Sequence, residues 1–590
     1  MAKWMVAAKK ADFNKIAKEY SITPVLARIM RNRDLTEEKE IRKFLKGGPE
    51  DLYSPFLMQD MEKAADFLLD KIKRKAALRV IGDYDADGIC AAYILVKGIS
   101  ELGGRADQVI PHRIKDGYGL NNRLIEEAAA DGIDTILTCD NGIAAAEQTA
   151  YARQLGMKVV VTDHHEIPYE ETETGRRYLL PEAEAVVDPR RADCSYPFKQ
   201  ICGAVIAYKL IQAMFHRASL DFQAIGRELL PFAALATVCD VMELKDENRI
   251  IVKYGLKLME EPENQGLKAL LKVNNIEGRA LTPYHAGFIL GPCLNATGRL
   301  DTAARALSLF EETRWGEAVT IASDLKNLND SRKRMTEEGV AQAVSQVEES
   351  GLKEDRVLVI YLPDCHESLA GIIAGKIKER FGRPAFVLTK GEEGIKGSGR
   401  SIEAYSMYEE MSRCKELFTR YGGHKMAAGL SMAKEEDVAR LRSLLNENCT
   451  LVEEDFEEVI HIDVPMPLSY ADKSFIRELS LLEPYGAGNP RPLFAQKNVS
   501  LLRGSIIGKN KNVGKYKAAD ENGGIYDMIY FGDLEKFNGF LRERFGKEAE
   551  EALYSGRQEI GEIKITLAYY PDINFYAGRE SVQIIMQAYC

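Results

Sequence analysis

Three short stretches concentrate acids and histidines more densely than a solvated surface requires: Gly82-Asp83-Tyr84-Asp85-Ala86-Asp87-Gly88, Asp140-Asn141-Gly142 and Asp163-His164-His165. Each directly follows a run of β-branched and aliphatic residues, at 78–81, 135–139 and 158–162. A fourth segment, Ala236-Thr237-Val238-Cys239-Asp240, also ends an apolar run in an acid. Carboxylates gathered at one place repel one another unless cations neutralise them. Oxygen-rich ligands with imidazole suit Mn²⁺ or Mg²⁺ better than zinc held by thiolates. Two such ions about 3.5–4 Å apart clamp a phosphoryl oxygen and acidify the water between them. Phosphodiester hydrolysis is the reaction class that fits.

Each piece has a plainer meaning when taken alone. Asp-x-Asp-x-Asp-Gly also opens a calcium-binding EF-hand loop, but position 12 of that loop is Ile94 where a Glu is needed, and a strand precedes it where a helix should. Asp-Asn-Gly by itself is an ordinary turn. What favours chemistry is shared location. In an open parallel sheet, ligands bind beyond the carboxyl ends of the strands, so neighbouring strands would bring up to five carboxylates and two imidazoles to one crevice.

The elements needed for that placement can be read from the pattern. Residues 1–70 look like a helical extension. Between about 75 and 215, short apolar runs, including 185–187, alternate with Ala-rich helices, the signature of a parallel sheet covered on both faces. Helices follow to about 310, and residues 315–349 read as a long connecting helix interrupted only by Gly339. A second α/β unit has strands at 357–361 and 385–389, a helix through 372–380, and then glycine-rich turns. The remainder is strand-dominated, at 459–464, 499–507, 526–531, 563–570 and 582–586, which fits a small barrel or sandwich.

Composition sets limits. At 590 residues the chain exceeds a single core and calls for several domains. No run of about 18 apolar residues suggests a membrane span, and the first ten residues lack a secretory apolar stretch, so the cytoplasm is expected. The ten cysteines are scattered without a CxxC pair, which fits free thiols, with Cys90, Cys139 and Cys239 acting as small buried hydrophobes. The net charge of −11 is the wrong sign for a nucleic-acid enzyme and counts against that class, unless acids gathered into metal sites and outer faces leave a locally basic groove.

The four acidic segments resemble the motifs of the DHH phosphoesterase superfamily, and further segments narrow the resemblance to its RecJ family. Pro111-His112-Arg113 with Gly117-Tyr118-Gly119-Leu120, and Asn295-Ala296-Thr297-Gly298-Arg299, are similar to RecJ segments. His366, Gly397-Ser398-Gly399-Arg400-Ser401 and Gly422-Gly423-His424 with Ala427-Ala428-Gly429 look like a DHHA1 domain. Leu482-Glu483-Pro484-Tyr485-Gly486 with Gly488-Asn489-Pro490, and Gly578-Arg579-Glu580-Ser581-Val582-Gln583 preceded by Tyr576, look like the family's oligonucleotide-binding (OB) domain. The resemblance covers about residues 20–590. It implies an α/β protein with a helical extension (1–70), a parallel-sheet DHH catalytic domain (71–310), a connector helix (311–350), a smaller DHHA1 domain (351–450) and a C-terminal OB-fold barrel (451–590).

The same resemblance implies a 5′→3′ exonuclease specific for single-stranded DNA, acting in recombination and repair. Asp83, Asp85 and Asp140 would hold one Mn²⁺ or Mg²⁺, while Asp87, Asp140, His164 and Asp240 hold the second. Asp163 would orient the imidazoles, and His165 would sit on the attacked phosphate. Arg113, Arg299, Ser398 and Arg400 would grip phosphates, a 5′-terminal one above all; Asn295, His366, Ser401, Gly423 and His424 would contact substrate, and Tyr118 would stack on a base. A monomer working with a single-strand-binding protein and a RecQ-type helicase is expected. Three positions depart from the family pattern, Cys293 for Arg, Asp116 for Glu and Asp188 for Asn, and none is a proposed metal ligand.

Overall fold

The computed structural model describes residues 2–113, 116–172, 175–556, 563–576 and 578–590. They form two compact units, one of Gly48–Phe456 and one that joins Met1–Gly47 to Glu457–Cys590.

In the larger unit, five strands make an all-parallel sheet: β1 (Ala77–Ile81), β2 (Arg105–Val109), β3 (Thr135–Cys139), β4 (Lys158–Thr162) and β5 (Ala185–Val187), in the order β2-β1-β3-β4-β5. The chain moves outward from β1 to β2 and then returns to the other side of β1. The crevice beyond β1 and β3 is therefore the point where strand order reverses, the place such sheets keep for ligands. Helix α1 (Ala86–Glu101) starts at that crevice and is almost wholly buried among α2 (Gly203–Arg217) and α3 (Gln223–Cys239). That explains why Ile89, Ala91, Ala92, Ile94 and Leu95 show no amphipathic stripe: a helix covered on every side carries none. Buried Lys209 of α2 is paired with Glu247 at 3.0 Å, and Tyr196 also donates to Glu247, so this charge pair is satisfied within the core.

Helix α4 (Gly291–Leu300) leads on to α5 (Trp315–Glu349), a single helix of 35 residues. Gly339 does not interrupt it; a Cβ there would lie 2.5 Å from Ile373, so the glycine lets α6 (Ala370–Phe381) pack closely. The second sheet of this unit comprises β6 (Leu358–Tyr361), β7 (Ala385–Lys390), β8 (Ile395–Arg400), β9 (Arg420–Gly423) and β10 (Ala427–Met432), ordered β9-β10-β8-β7-β6. The glycine-rich segments expected as turns are thus three antiparallel strands. Along β8, buried and half-buried residues alternate, with glycines filling buried positions where the sheet is crowded.

In the smaller unit, β11 (Phe494–Ile507), β12 (Val513–Ala519), β13 (Ile525–Tyr530), β14 (Lys564–Tyr576) and β15 (Arg579–Tyr589) run in the order β11-β12-β13-β15-β14, and β14 pairs back to β11. The sheet closes, which removes its edges. Residues 1–70, expected as one helical extension, divide. The strand Lys3–Val6 pairs in parallel with Val459–Ile462, and Leu26, Ile29, Met30, Ile41 and Leu45 share one core with Phe494 and Tyr569 of the barrel. Residues from Gly48 onward belong to the larger unit.

Candidate metal centre and phosphate pocket

Where β1 ends, three acids are delivered in quick succession. Asp83 is buried in the turn. Asp85 caps α1, accepting the N–H of Asp87 at 2.9 Å and that of Gly88 at 3.1 Å, as carboxylates do at helix N-termini. Asp87 accepts the N–H groups of Gly203 and Ala204 at 2.7 and 2.8 Å, which fixes its carboxylate against the start of α2. A Cβ on Gly203 would lie 2.6 Å from that of Asp140, so α2 reaches this point only because it begins with glycine. Asp140 follows β3 with φ 59°, a left-handed conformation that aspartate tolerates better than most non-glycine residues and that turns its carboxylate into the crevice. Its Oδ1 lies 3.0 Å from His164 Nε2, and the same nitrogen is 3.6 Å from Asp87 Oδ2 and 3.7 Å from Asp240 Oδ2. Asp240 sits at the C-cap of α3.

Potential ligand atoms of Asp83, Asp85 and Asp140 all lie within 4.8 Å of one another, and so do those of Asp87, His164 and Asp240, and those of Asp140, His164 and His165. Two features show that these residues fit divalent cations. Asp83 Oδ1 and Asp240 Oδ2 are buried without a hydrogen-bond partner, a costly state for a carboxylate oxygen. Burial, with Asp85 adding repulsion, pushes Asp83 up to about 8, and burial with Asp87 and Asp85 does the same to Asp240. Asp85 and Asp140 are raised for the same reasons. Positive charge supplied to the cluster restores the ionised forms.

Asp163 lies at the edge of this group. Burial works most strongly against its charge, but the hydrogen bond and charge of His165, the Ile143 N–H and His164 together hold the carboxyl below its usual range. One oxygen accepts from His165 Nδ1 at 2.7 Å and from the His164 N–H at 2.7 Å; the other accepts the Ile143 N–H at 2.9 Å. Asp163 therefore orients the ring of His165 and the backbone that carries His164. Tyr118, half exposed, donates to the Asp140 carbonyl at 2.8 Å and stands edge-on to His165 and Tyr84.

Beside the acids lies an opposite arrangement. Arg113 rests on the Tyr84 ring at 4.8 Å, and Arg299 donates to the Ser368 carbonyl at 2.7 Å. Burial, then the neighbouring Arg113 and Arg332, pulls Arg299 down to about 10, and burial and Arg113 lower Arg400. Among the described residues, none of Arg113, Arg299, Arg332 and Arg400 has a salt-bridge partner. Gly371, in the first turn of α6, brings the helix N-terminus against this group: a Cβ there would lie 2.9 Å from Arg400 Nη2 and 3.4 Å from Ser398. Clustered guanidinium groups at a helix N-terminus have the chemistry that suits a phosphate oxyanion. A cleft of about 590 Å³, lined by Tyr84, Arg113 and Tyr118 and by Ser368, Ser398 and Gly422, opens there.

The other expected substrate residues are placed differently. Asn295 Oδ1 accepts the Ala86 N–H at 2.7 Å and so fastens α4 to the start of α1. His366 caps a short turn and meets Ser368 Oγ at 2.8 Å. The hydroxyl of Ser401 is buried and donates to the Tyr405 carbonyl. Gly423 has φ 143° and lies against Ala427 and Ala428, and His424 is exposed beside it. Sequence reasoning missed Gly203, Arg332 and Gly371, because closeness in space is their only signal, and assigned no role to Tyr84 although it lies within the first acidic segment.

Family models match three regions: the DHH family N-terminal domain at residues 77–237, the DHHA1 domain at 354–450 and the RecJ OB domain at 462–588. The single-stranded-DNA-specific exonuclease RecJ of Bacillus subtilis is 34% identical over 544 residues, covering 91% of this chain and 67% of that one. Its counterpart from Escherichia coli is 31% identical over 588 residues, covering 96% and 95%. In fold, the chain matches the crystal structure of RecJ in complex with Mn²⁺ from Thermus thermophilus with a TM-score of 0.81 at 24% identity, over 100% of this chain and 79% of that one. With these matches spanning the sheet, the second α/β unit and the barrel, the chain belongs to the RecJ family.

Proposed function

We propose that this chain degrades single-stranded DNA stepwise from the 5′ end, using two divalent cations, Mn²⁺ or Mg²⁺. The observation that carries this reading is Asp140, which stands between two acid-rich ligand groups at the switch point of the sheet. Asp83, Asp85 and Asp140 would hold one cation, and Asp87, Asp140, His164 and Asp240 the other. When bound, the pair supplies Lewis-acid charge on the scissile phosphate and acidifies the attacking water.

The protein's own groups do the rest. Asp163 accepts a hydrogen bond from His165 Nδ1, which turns Nε2 toward the Tyr118 hydroxyl, 3.3 Å away, and toward the place of the phosphate. Arg113, Arg299, Ser398 and Arg400, at the N-terminus of α6, grip the terminal 5′ phosphate and so set the distance from strand end to scissile bond. Tyr118 offers its half-exposed ring to the terminal base. The barrel of the smaller unit carries exposed Phe575 and Tyr576 and a pocket lined by Lys515, Asn574 and Arg579, the combination of aromatic and basic groups that holds single strands. The role extends to recombination and repair in the cytoplasm, as a monomer alongside a single-strand-binding protein and a RecQ-type helicase. No helix among the described residues is long and apolar enough to cross a membrane.

The test uses single-stranded DNA labelled at one end, with and without a 5′ phosphate, in the presence of Mn²⁺. Release of mononucleotides from the 5′ end, faster on phosphorylated strands, is expected. Shortening from the 3′ end overturns the polarity, and intact DNA overturns the nuclease reading.

A further inference from the structure

Beyond the terminal-phosphate pocket, the second sheet presents another cationic row on the same face. Along β8, Ile395, Gly397 and Gly399 are buried, whereas Lys396, Ser398 and Arg400 share the opposite, half-buried face. Cross-strand register extends that face. Ser398 is opposite Gly429 of β10, which is opposite Gly422 of β9. One step further along, Lys396 is opposite Ser431, and Ser431 is opposite Arg420.

The middle row is floored by two glycines and obstructs nothing. The outer row carries an ammonium, a hydroxyl and a guanidinium, and neither cation has a salt-bridge partner among the described residues. All three outer residues line the cleft that also holds Arg113, Tyr118 and Ser398. Two acids line it as well: Asp116 is already paired with Arg123, and Glu367 lies near the stem of Lys396. Residues two apart on a strand are about 6.6–6.8 Å apart, a span that further phosphoanhydride units would bridge.

Building on the reading that Ser398 and Arg400 hold the 5′-terminal phosphate, we propose that Lys396, Ser431 and Arg420 form a subsite for additional phosphates on that end. The chain then accepts 5′-triphosphorylated strands, the kind begun from a nucleoside triphosphate. Water adds to the phosphorus of the first internucleotide phosphodiester. The bond from that phosphorus to the 3′ oxygen of the first nucleotide breaks, and this oxygen takes up a proton. The triphosphate stays intact on the released nucleotide, and the remaining strand starts with a monophosphate.

The experiment compares oligodeoxynucleotides of one sequence bearing a 5′ monophosphate or a 5′ triphosphate, with the wild type, Lys396→Ala, Arg420→Ala and the double variant. In EDTA, fluorescence anisotropy should show tighter wild-type binding of the triphosphate, and the double variant should lose that margin, by about tenfold or more. With Mn²⁺, the first product from the triphosphorylated strand should be a nucleoside triphosphate, and the double variant should slow on that strand alone. Wild-type rejection of triphosphorylated ends, release of pyrophosphate as the first product, or an equal loss on both strands in the double variant overturns the subsite. Intact monophosphorylated DNA in every arm overturns the nuclease reading instead.

Discussion

The acid crevice and the arginine pocket share one unit of the molecule and solve opposite electrostatic problems. In the crevice, Asp85 and Asp87 are fixed by backbone N–H groups and Asp140 follows a left-handed turn, so short carboxylates are held close together by the backbone itself. In the pocket, Arg113, Arg299, Arg332 and Arg400 converge on long side chains anchored by carbonyls, an aromatic ring and an amide. Rigid short side chains suit a task in which small displacements of a reacting group are expensive. Longer side chains suit gripping and releasing a strand end at each step.

That contrast can be broken by experiment. Asp140→Asn removes the carboxylate proposed to serve both cation sites and should lower cleavage of single-stranded DNA about a thousandfold, the loss of several kcal/mol of transition-state stabilisation. The same variant offers a measurement independent of activity. Thermal unfolding of EDTA-treated wild type should shift upward on adding Mn²⁺, approaching about 2.7 kcal/mol at a hundred times the dissociation constant, and the shift should vanish in Asp140→Asn. An unchanged shift would mean the cations bind elsewhere.

Arg400→Ala should act on the other side of the comparison, reducing the preference for a 5′ phosphate over a 5′ hydroxyl by roughly 10- to 100-fold, while the Mn²⁺ shift stays as in the wild type. Asp163→Asn should lower the rate about 10- to 100-fold by loosening His165, without altering the phosphate preference. The smallest effect belongs to Gly371→Ala, whose new Cβ would press on the Arg400 guanidinium. Steady-state assays should show the 5′-phosphate preference weakened less than Arg400→Ala weakens it, with helix α6 gaining up to about 1 kcal/mol.

The two regions also differ in how far they could be read from sequence. Strands at 135–139, 158–162 and 185–187 coincide with β3, β4 and β5, because strands buried on both faces are continuous apolar runs ending where the acids begin. Strand β2 escaped notice: Arg105-Ala106-Asp107-Gln108-Val109 is an edge strand, polar in pattern and tied to β1 through Arg79 and Asp107. In the second sheet, strands at 357–361 and 385–389 were legible, but β8, β9 and β10 were hidden in glycine-rich text, since glycine there reflects crowding and a flat floor, and turns carry the same letters. Arg332 sits among polar residues of α5 with no local mark; its meaning comes only from Arg299 on another helix.

The parallel pairing of Lys3–Val6 with Val459–Ile462 has a kinetic consequence. During synthesis at about 5–20 residues per second, Lys3 precedes Val459 by roughly 20 to 90 seconds. Over that interval the larger unit can complete its core, while Leu26, Ile29 and Met30 wait without the barrel residues that will bury them. The smaller unit is thus sewn together after the larger one, from the two segments that flank it in sequence, and any pause in translation after the larger unit prolongs the exposure of an apolar surface that chaperones would have to shield.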